Sequence, residues 1–362
     1  METERLRDFY RGKTVLITGH TGFKGSWLTH ILLSFGAKVI GVSLPPVSDR
    51  DIFVTTGLQS AVSHHEFDIR NAERLIALIS AEKPDIVFHL AAQPLVRQSY
   101  AEPETTMSTN IMGTVNVLEA IRLSGSVKAA VVITTDKVYE NKEWIYGYRE
   151  TDPLGGYDPY SASKAAADIV TDSYRRSFFN ENDYGEKHHT LIAVARAGNV
   201  IGGGDWGVDR LVPDIMRAAE GGAPVILRNP GSVRPWEHVL EPLRGYLMLG
   251  ARLGAGEREF AGAWNFGPGS ESWLSVGDVT RKVMELLGTG DINISSQPSF
   301  HESNMLTLDT TKAQRILGWK PQFDINRTLN ETVRWYKTVN TDKTKALAIT
   351  QAQIASYFGL NK

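Results

Sequence analysis

Three glycines spaced three residues apart stand directly behind an apolar run near the start of the chain: Val15-Leu16-Ile17, then Thr18-Gly19-His20-Thr21-Gly22-Phe23-Lys24-Gly25. A β-branched run leading into this spacing, followed by Ser26-Trp27-Leu28 and Ile31-Leu32-Leu33 at helical intervals, predicts a strand, a tight turn and a helix start. Such a turn lets the backbone come close to a pyrophosphate, and the helix N-terminus offers free N–H groups and a positive dipole end. The last glycine lets the helix pack tightly on the strand. With 33 glycines in the chain the spacing alone says little. The second strand at Ala37-Lys38-Val39-Ile40-Gly41-Val42 completes a βαβ unit. This is a dinucleotide site, with Gly19, Gly22, Phe23 and Gly25 as its candidate contacts.

Apolar, β-branched runs recur between amphipathic stretches: Thr14 to Thr18, Lys38 to Val42, Ala61 to Phe67, Asp85 to His89, Ala129 to Thr134 and Thr190 to Ala195. Helical patterns fill the intervals, among them Asn71 to Ser80, Thr105 to Leu123 and Pro159 to Phe179. Strands alternating with helices of this length predict an α/β fold, a Rossmann-type doubly wound parallel sheet covered on both faces. From about Ala197 the rhythm changes to loops with interspersed tryptophans and arginines, which predicts a smaller C-terminal substrate-binding lobe. The expected division is a nucleotide domain over 1–196 with a return segment near 236–262, a lobe over 197–345 and a helical tail over 346–362.

The bulk numbers narrow the function. A net charge of -2 leaves no basic excess to neutralise phosphates, which argues against nucleic acid or a membrane surface as partner. There is no cysteine, so disulfides, thiolate catalysis and cysteine-metal sites are excluded. The first residues, Met1-Glu2-Thr3-Glu4-Arg5, lack the apolar core of a signal peptide, and no run is long enough to span a bilayer. A cytoplasmic enzyme is expected. The nine histidines show no metal-ligand spacing, and His64-His65 and His188-His189 read as solvated surface.

Tyr160-Ser161-Ala162-Ser163-Lys164 carries the chemistry. A Tyr and a Lys four apart share a helix face, and an ammonium there lowers the phenol's pKa toward neutrality, so that it can act as a base. As an exposed pair alone it would contribute roughly 0.3 kcal/mol. It follows Val131-Val132-Ile133-Thr134-Thr135-Asp136, a strand ending in hydroxyls and a carboxylate. Ligands of parallel sheets gather at the carboxyl ends of strands, so Thr135, Asp136, Lys137, Tyr160 and Lys164 are expected to meet over a nicotinamide. Asp136 and Lys137 can both face the site only if the chain has already turned there.

In these motifs the chain resembles the extended short-chain dehydrogenases/reductases over nearly its whole length. Besides the glycine loop and Tyr160-x-x-x-Lys164, the resemblance rests on Phe67-Asp68-Ile69, His89-Leu90-Ala91-Ala92-Gln93 and Asn110-Ile111-x-Gly113-Thr114. It implies NAD as cofactor, with Asp68 and Ile69 bordering the adenine, Ala91, Ala92 and Gln93 lining the cofactor, and Asn110 near its nicotinamide end. Within the family the chain looks like the nucleotide-sugar 4,6-dehydratases. Gly19 to Trp27, Ser43-Leu44-Pro45-Pro46 and Thr135-Asp136-Lys137-Val138-Tyr139 resemble the CDP-glucose branch, which implies CDP-glucose as substrate. Lys137 stands where the dTDP-glucose enzymes have Glu, leaving the base of the elimination step open between Lys137, Tyr160 and a water. A homodimer through a four-helix bundle is also implied, and Ile111, Val115, Leu118, Ile169 and Val170 give two helices the apolar faces for it.

The second strand ends at Val42-Ser43 without the usual acid for the ribose hydroxyls, so NAD against NADP is not settled there; Asp49, Arg50 or Asp51 could reach back. Arg228 and Arg234 are candidates for a diphosphate, which a guanidinium binds bidentately, and Arg234-Pro235-Trp236 matches the family's diphosphate-contacting arginine. By resemblance Asn199 lies at the substrate phosphate and Arg210 and Leu211 border the base; His301-Glu302 is a candidate to hold a ribose hydroxyl, with a loop cap as the alternative. Two rivals stay open: a nucleotide-sugar 4-epimerase or a dehydratase of another nucleotide sugar, and a catalytically silent, cofactor-bound regulator on the same fold.

Overall fold

The computed structural model describes residues 2–288, 290–295 and 305–360. The apolar runs become β1 (Thr14–Thr18), β2 (Lys38–Ser43), β3 (Ser63–Glu66), β4 (Ile86–His89), β5 (Ala129–Ile133) and β6 (Leu191–Ala197). Later strands are β7 (Asn199–Ile201), β8 (Val225–Leu227), β9 (Val233–His238), β10 (Gly262–Phe266), β11 (Trp273–Ser275) and β12 (Ile292–Ile294). Seven of them form one parallel sheet in the order β10-β6-β5-β4-β1-β2-β3. The order reverses between β1 and β4, and this opens a crevice at their carboxyl ends.

Alternation along each strand feeds two cores. Val15 and Ile17 of β1, with Ala129, Val131 and Ile133 of β5, pack on one face, under the helix Leu240–Gly254. Leu16, Ala130 and Val132 pack on the other, under the helices Ala72–Glu82, Gly113–Ser124 and Pro159–Phe178. Asn71 and Asp158 cap two of these helices, accepting from the amides of Arg74 and Ser161 at 3.1 and 2.9 Å.

The helix expected over Thr105 to Leu123 is interrupted. A single π turn, Ser108–Met112, separates Pro103–Met107 from Gly113–Ser124, and it buries Asn110 under the crevice. Leu118, expected on an outward face, is fully buried in the core; Met112 and Ile169 are exposed at 51% and 56%, as are Leu123 and Phe178 at the ends of these helices.

After β6 the chain builds the lobe: a three-stranded sheet β11-β9-β7 and a two-stranded sheet β12-β8. The return to the main sheet runs through the helix Leu240–Gly254 into β10, which pairs with β6. The C-terminal helix Ala346–Phe358 packs on this same chain: Phe358 meets Phe35 edge-on at 5.3 Å, and Tyr357 donates to Glu241 at 2.6 Å. Among the described residues no helix is long and apolar enough to cross a membrane.

Candidate active site

One cleft of about 1330 Å³ runs from the glycine turn, past the ends of β1, β4 and β5, into the lobe. Its nucleotide end is shaped by absent side chains. Gly19 has φ +79°, and a Cβ there would lie 2.7 Å from the Ala91 amide nitrogen. A Cβ on Gly25 would lie 2.1 Å from the Gly19 carbonyl oxygen. Any side chain at either position would push the turn, the helix Phe23–Ser34 and the β4 loop apart. Gly19 donates its amide to Val42 at 2.7 Å, and Thr21 pairs with Ser43 at 2.7 Å, so the turn is tied to the end of β2. Gly22 and Phe23 line the cleft at the helix N-terminus, which fits a pyrophosphate.

Further along, Asp68 accepts from the Arg70 amide and guanidinium at 2.8 and 2.7 Å, and this hydrogen bonding holds its carboxyl below the usual range. Ile69 lines the cleft and fits under Gly113, where a Cβ would meet it at 2.4 Å. Ala91, Ala92 and Gln93 form the opposite wall. Asn110 fixes that wall: it accepts from the Gln93 amide at 2.8 Å and donates to Gln93 O and Ser163 Oγ at 3.1 and 2.8 Å. Two of the groups that could reach back to the end of β2 have partners of their own. Asp51 accepts from the amides of Val47 and Ser48 at 3.0 Å each, while Arg50 lies on Trp206, 3.4 Å from the ring centroid, and pairs with Glu220 at 2.6 Å.

At the reacting end the chain has turned: Asp136–Val138 is a 3₁₀ turn capped by Thr135, so Asp136 and Lys137 both line the cleft. Thr135 donates to Asp136 Oδ1 at 2.9 Å. Burial pushes the Asp136 carboxyl above the usual range, against the opposing pull of Lys137, the Thr135 hydroxyl, Arg234 and Lys24. Tyr160 and Lys164 face the same space from the helix Pro159–Phe178. The Tyr160 phenol departs from expectation. Burial pushes it up to about 12, and Lys164 does not bring it down. The reason is where the ammonium goes: Lys164 donates to Ile133 O at 2.8 Å, and burial lowers its own pKa to about 8.

In the lobe, Arg234 on β9 is buried and donates to Val233 O at 2.9 Å, with its charge felt by Asp136. Asn199 on β7 pairs with Trp236 of β9 and lines the cleft. Arg210 was expected beside the base. Its guanidinium is held by Asp205 at 2.9 Å and bears on Tyr160 and Lys24. Leu211 follows it as the first residue of a helix. Arg228 shares Asp209 with Arg97, each at 3.1 Å, at the cleft mouth. His301 lies outside the described residues.

The reading of the sequence missed three features. Lys24 lines the cleft, its pKa lowered to about 8 by burial, and Glu237 is its foremost charged neighbour. Beneath the end of β5, Arg196 binds both oxygens of Asp168 at 2.8 Å and donates to the Tyr139 hydroxyl at 2.7 Å; Thr134 donates to Asp168 at 3.2 Å. Only their β-strand and helical spacing was visible in the chain, with nothing to pair them. His64 is not solvated surface: its side chain is 9% exposed and bonds His20 at 2.7 Å and Glu66 at 3.0 Å, because the glycine turn folds over β3.

Residues 16–332 match the family model of GDP-mannose 4,6 dehydratase. The CDP-glucose 4,6-dehydratase of Salmonella typhimurium is 48% identical over 332 residues, 91% of this chain and 92% of that protein. The dTDP-glucose 4,6-dehydratase 1 of Escherichia coli is 27% identical, covering 89% of this chain and 92% of its own. Among solved structures, the dTDP-glucose 4,6-dehydratase DesIV of Streptomyces venezuelae, with NAD and TYD bound, superposes with a TM-score of 0.78 at 26% identity over 91% of this chain and 98% of its own. With its glycine turn, its Tyr-Lys helix and a match of this length, the chain belongs to the GDP-mannose 4,6-dehydratase family of extended short-chain dehydrogenases/reductases.

Proposed function

We propose that this enzyme is a nucleotide-sugar 4,6-dehydratase that converts CDP-glucose to CDP-4-keto-6-deoxyglucose with NAD. Asp136 carries the reading. An epimerase needs the Thr, Tyr and Lys set alone, whereas a buried carboxyl whose pKa burial raises, beside Thr135 and Tyr160, suits a hydroxyl that must leave as water. Identity of 48% over 91% of the chain to a CDP-glucose 4,6-dehydratase supports the nucleotide.

In this reading Tyr160 takes the proton of the carbon-4 hydroxyl, and Thr135 donates a hydrogen bond to the same oxygen. Gly19, Gly22, Phe23, Ala91, Ala92 and Gln93 would hold NAD, which would supply a reversible two-electron acceptor, so that the overall reaction has no net redox change. Lys137 removes the proton from carbon 5 once its neighbour is a ketone, and Asp136 protonates the hydroxyl leaving carbon 6. Arg234 holds the diphosphate. Asn199, Arg210, Leu211, Arg228 and His301 complete the nucleotide-sugar site.

The reading carries a cytoplasmic location with it, in keeping with a chain that has no cysteine to form a disulfide. It also carries a homodimer paired through the helices that expose Met112 and Ile169.

The test is incubation with CDP-, dTDP-, UDP- and GDP-glucose, following the 4-keto product and the absorbance of reduced cofactor. Product from CDP-glucose without stoichiometric reduction is expected. Stoichiometric reduced cofactor would make the protein a simple dehydrogenase, and a 4-epimeric sugar would make it an epimerase.

A further inference from the structure

The segment that follows β2 has no part in the steps above and belongs to neither core. Leu44, Pro45, Val47, Ser48 and Asp51 line the cleft beyond the glycine turn, yet none of residues 44–51 is buried, and Val47 is 99% exposed. In a βαβ nucleotide unit the adenosine ribose lies at the end of the second strand. Residues 44–51 therefore run beside the adenosine half of the NAD site.

The near end of this segment is fixed to the glycine turn, where Thr21 pairs with Ser43 at 2.7 Å and donates to Leu44 O at 3.0 Å. Pro45 and Pro46 then lock two successive φ angles and make a stiff arm. The turn beyond them closes on itself. Asp51 accepts from the amides of Val47 and Ser48 at 3.0 Å each, and Ser48 Oγ accepts from the Arg50 amide at 3.1 Å. Among the described residues, Arg50 is the one side chain of residues 45–51 that hydrogen-bonds or stacks outside the segment.

Arg50 reaches across the cleft to the lobe. Its guanidinium lies 3.4 Å from the centroid of the Trp206 ring and pairs with Glu220 at 2.6 Å. Both partners are braced from behind. Arg217 donates to the carbonyls of Trp206 and Gly207 at 3.0 Å each, Tyr336 meets the Trp206 ring edge-on at 5.2 Å, and Asn340 donates to Glu220 at 2.6 Å. Beside Arg50, the Ile52 amide donates to Gly204 O at 3.4 Å. Trp206 itself lines the cleft. A stiff arm from the cofactor side thus ends on a fixed aromatic face of the lobe.

We propose that Arg50 is a positioning residue for NAD: its stack on Trp206 draws the arm across the cleft and holds it beside the adenosine half of the cofactor. An arginine at the end of a second strand can instead meet the 2′-phosphate of NADP directly. Here Trp206 and Glu220 take the guanidinium, so Arg50 serves the cofactor through the arm and not through that phosphate. The arm contains none of the reacting groups, and the effect falls on cofactor binding.

The experiment is calorimetric titration of the full chain, stripped of cofactor, with NAD and with NADP. Native protein, Arg50→Gln, Trp206→Leu and the double variant are compared, with thermal melts to establish folding. Arg50 is 32% exposed at its side chain, so Arg50→Gln decides the matter even where Trp206→Leu does not fold. Arg50→Gln should raise the Kd for NAD roughly ten-fold and weaken NADP by no more than that. Trp206→Leu should reproduce the loss, and the double variant should be no worse than the weaker-binding single variant. In turnover, KM for NAD should rise with Kd, while kcat at saturating NAD stays within about two-fold of native. A Kd for NAD within about two-fold of native in Arg50→Gln overturns the proposal. So does a loss confined to NADP, which would put Arg50 on the 2′-phosphate, or losses that multiply in the double variant. Titration needs no nucleotide sugar, so native enzyme that makes no 4-keto product from CDP-glucose fails the dehydratase reading and leaves this comparison standing.

Discussion

Tyr160 shows how a side chain's surroundings override its neighbours in the chain. The four-residue spacing to Lys164 suggests a lowered phenol pKa, yet in the folded protein burial raises it to about 12, and the ammonium is spent on the Ile133 carbonyl. A phenol that high is a poor base near neutrality, so the charge that activates it must arrive with the ligands. The oxidised nicotinamide, which is cationic, is the group suited to supply it. Replacing Tyr160 by Phe should lower turnover by roughly 10²–10⁴-fold, the usual worth of general acid–base catalysis, while the melting temperature stays near the native value. Turnover measured with CDP-glucose checks this, and near-native rates in Tyr160→Phe would remove the residue from the mechanism.

At the scale of elements, the end of β5 is held from beneath. Asp168 on the helix Pro159–Phe178 and Arg196 on β6 are each about 3% exposed at the side chain and form a two-pronged ion pair, to which Thr134 and Tyr139 add hydrogen bonds. The network joins the strand that ends in Thr135 and Asp136 to the helix that carries Tyr160 and Lys164. Breaking it leaves a buried charge alone: Arg196→Met should cost about 3–5 kcal/mol of stability by denaturant unfolding, whereas Arg196→Met with Asp168→Leu should regain much of that loss. If the single variant is as stable as the native protein, the pair does not hold these elements together. The π turn at Ser108–Met112 works in the same way, giving up regular helix to turn Asn110 onto Gln93 and Ser163.

At the scale of the molecule, the sheet uses both faces for its own cores, so the outer sides of the covering helices are the faces left for a second copy in the proposed dimer. Met112 and Ile169 stay exposed there, with Ile111 and Val115 half-buried beside them. Exposed apolar side chains on adjacent helices suit a self-complementary face. Sedimentation at micromolar concentration should give twice the chain mass, and Met112→Asp with Ile169→Asp should give the chain mass alone. A native protein that sediments as a monomer would end the dimer proposal.

What the sequence determined by itself was local or periodic. The alternation of strands and helices gave the parallel sheet, because burial on both faces writes continuous apolar runs. The glycine turn was legible because only glycine fits where a Cβ would lie 2.1 Å from a carbonyl oxygen. Tyr160 and Lys164, close on one helix, were legible for the same local reason. What only the tertiary structure decided were pairings between residues far apart in the chain: Lys24 with Glu237, Arg196 with Asp168, His20 with His64. It also decided the protonation preferences of Tyr160 and Asp136. Desolvation and the sum of neighbouring charges set those, and both depend on how strands far apart in the chain are brought edge to edge, as β1 is to β4 and β6 to β10, which no local pattern encodes.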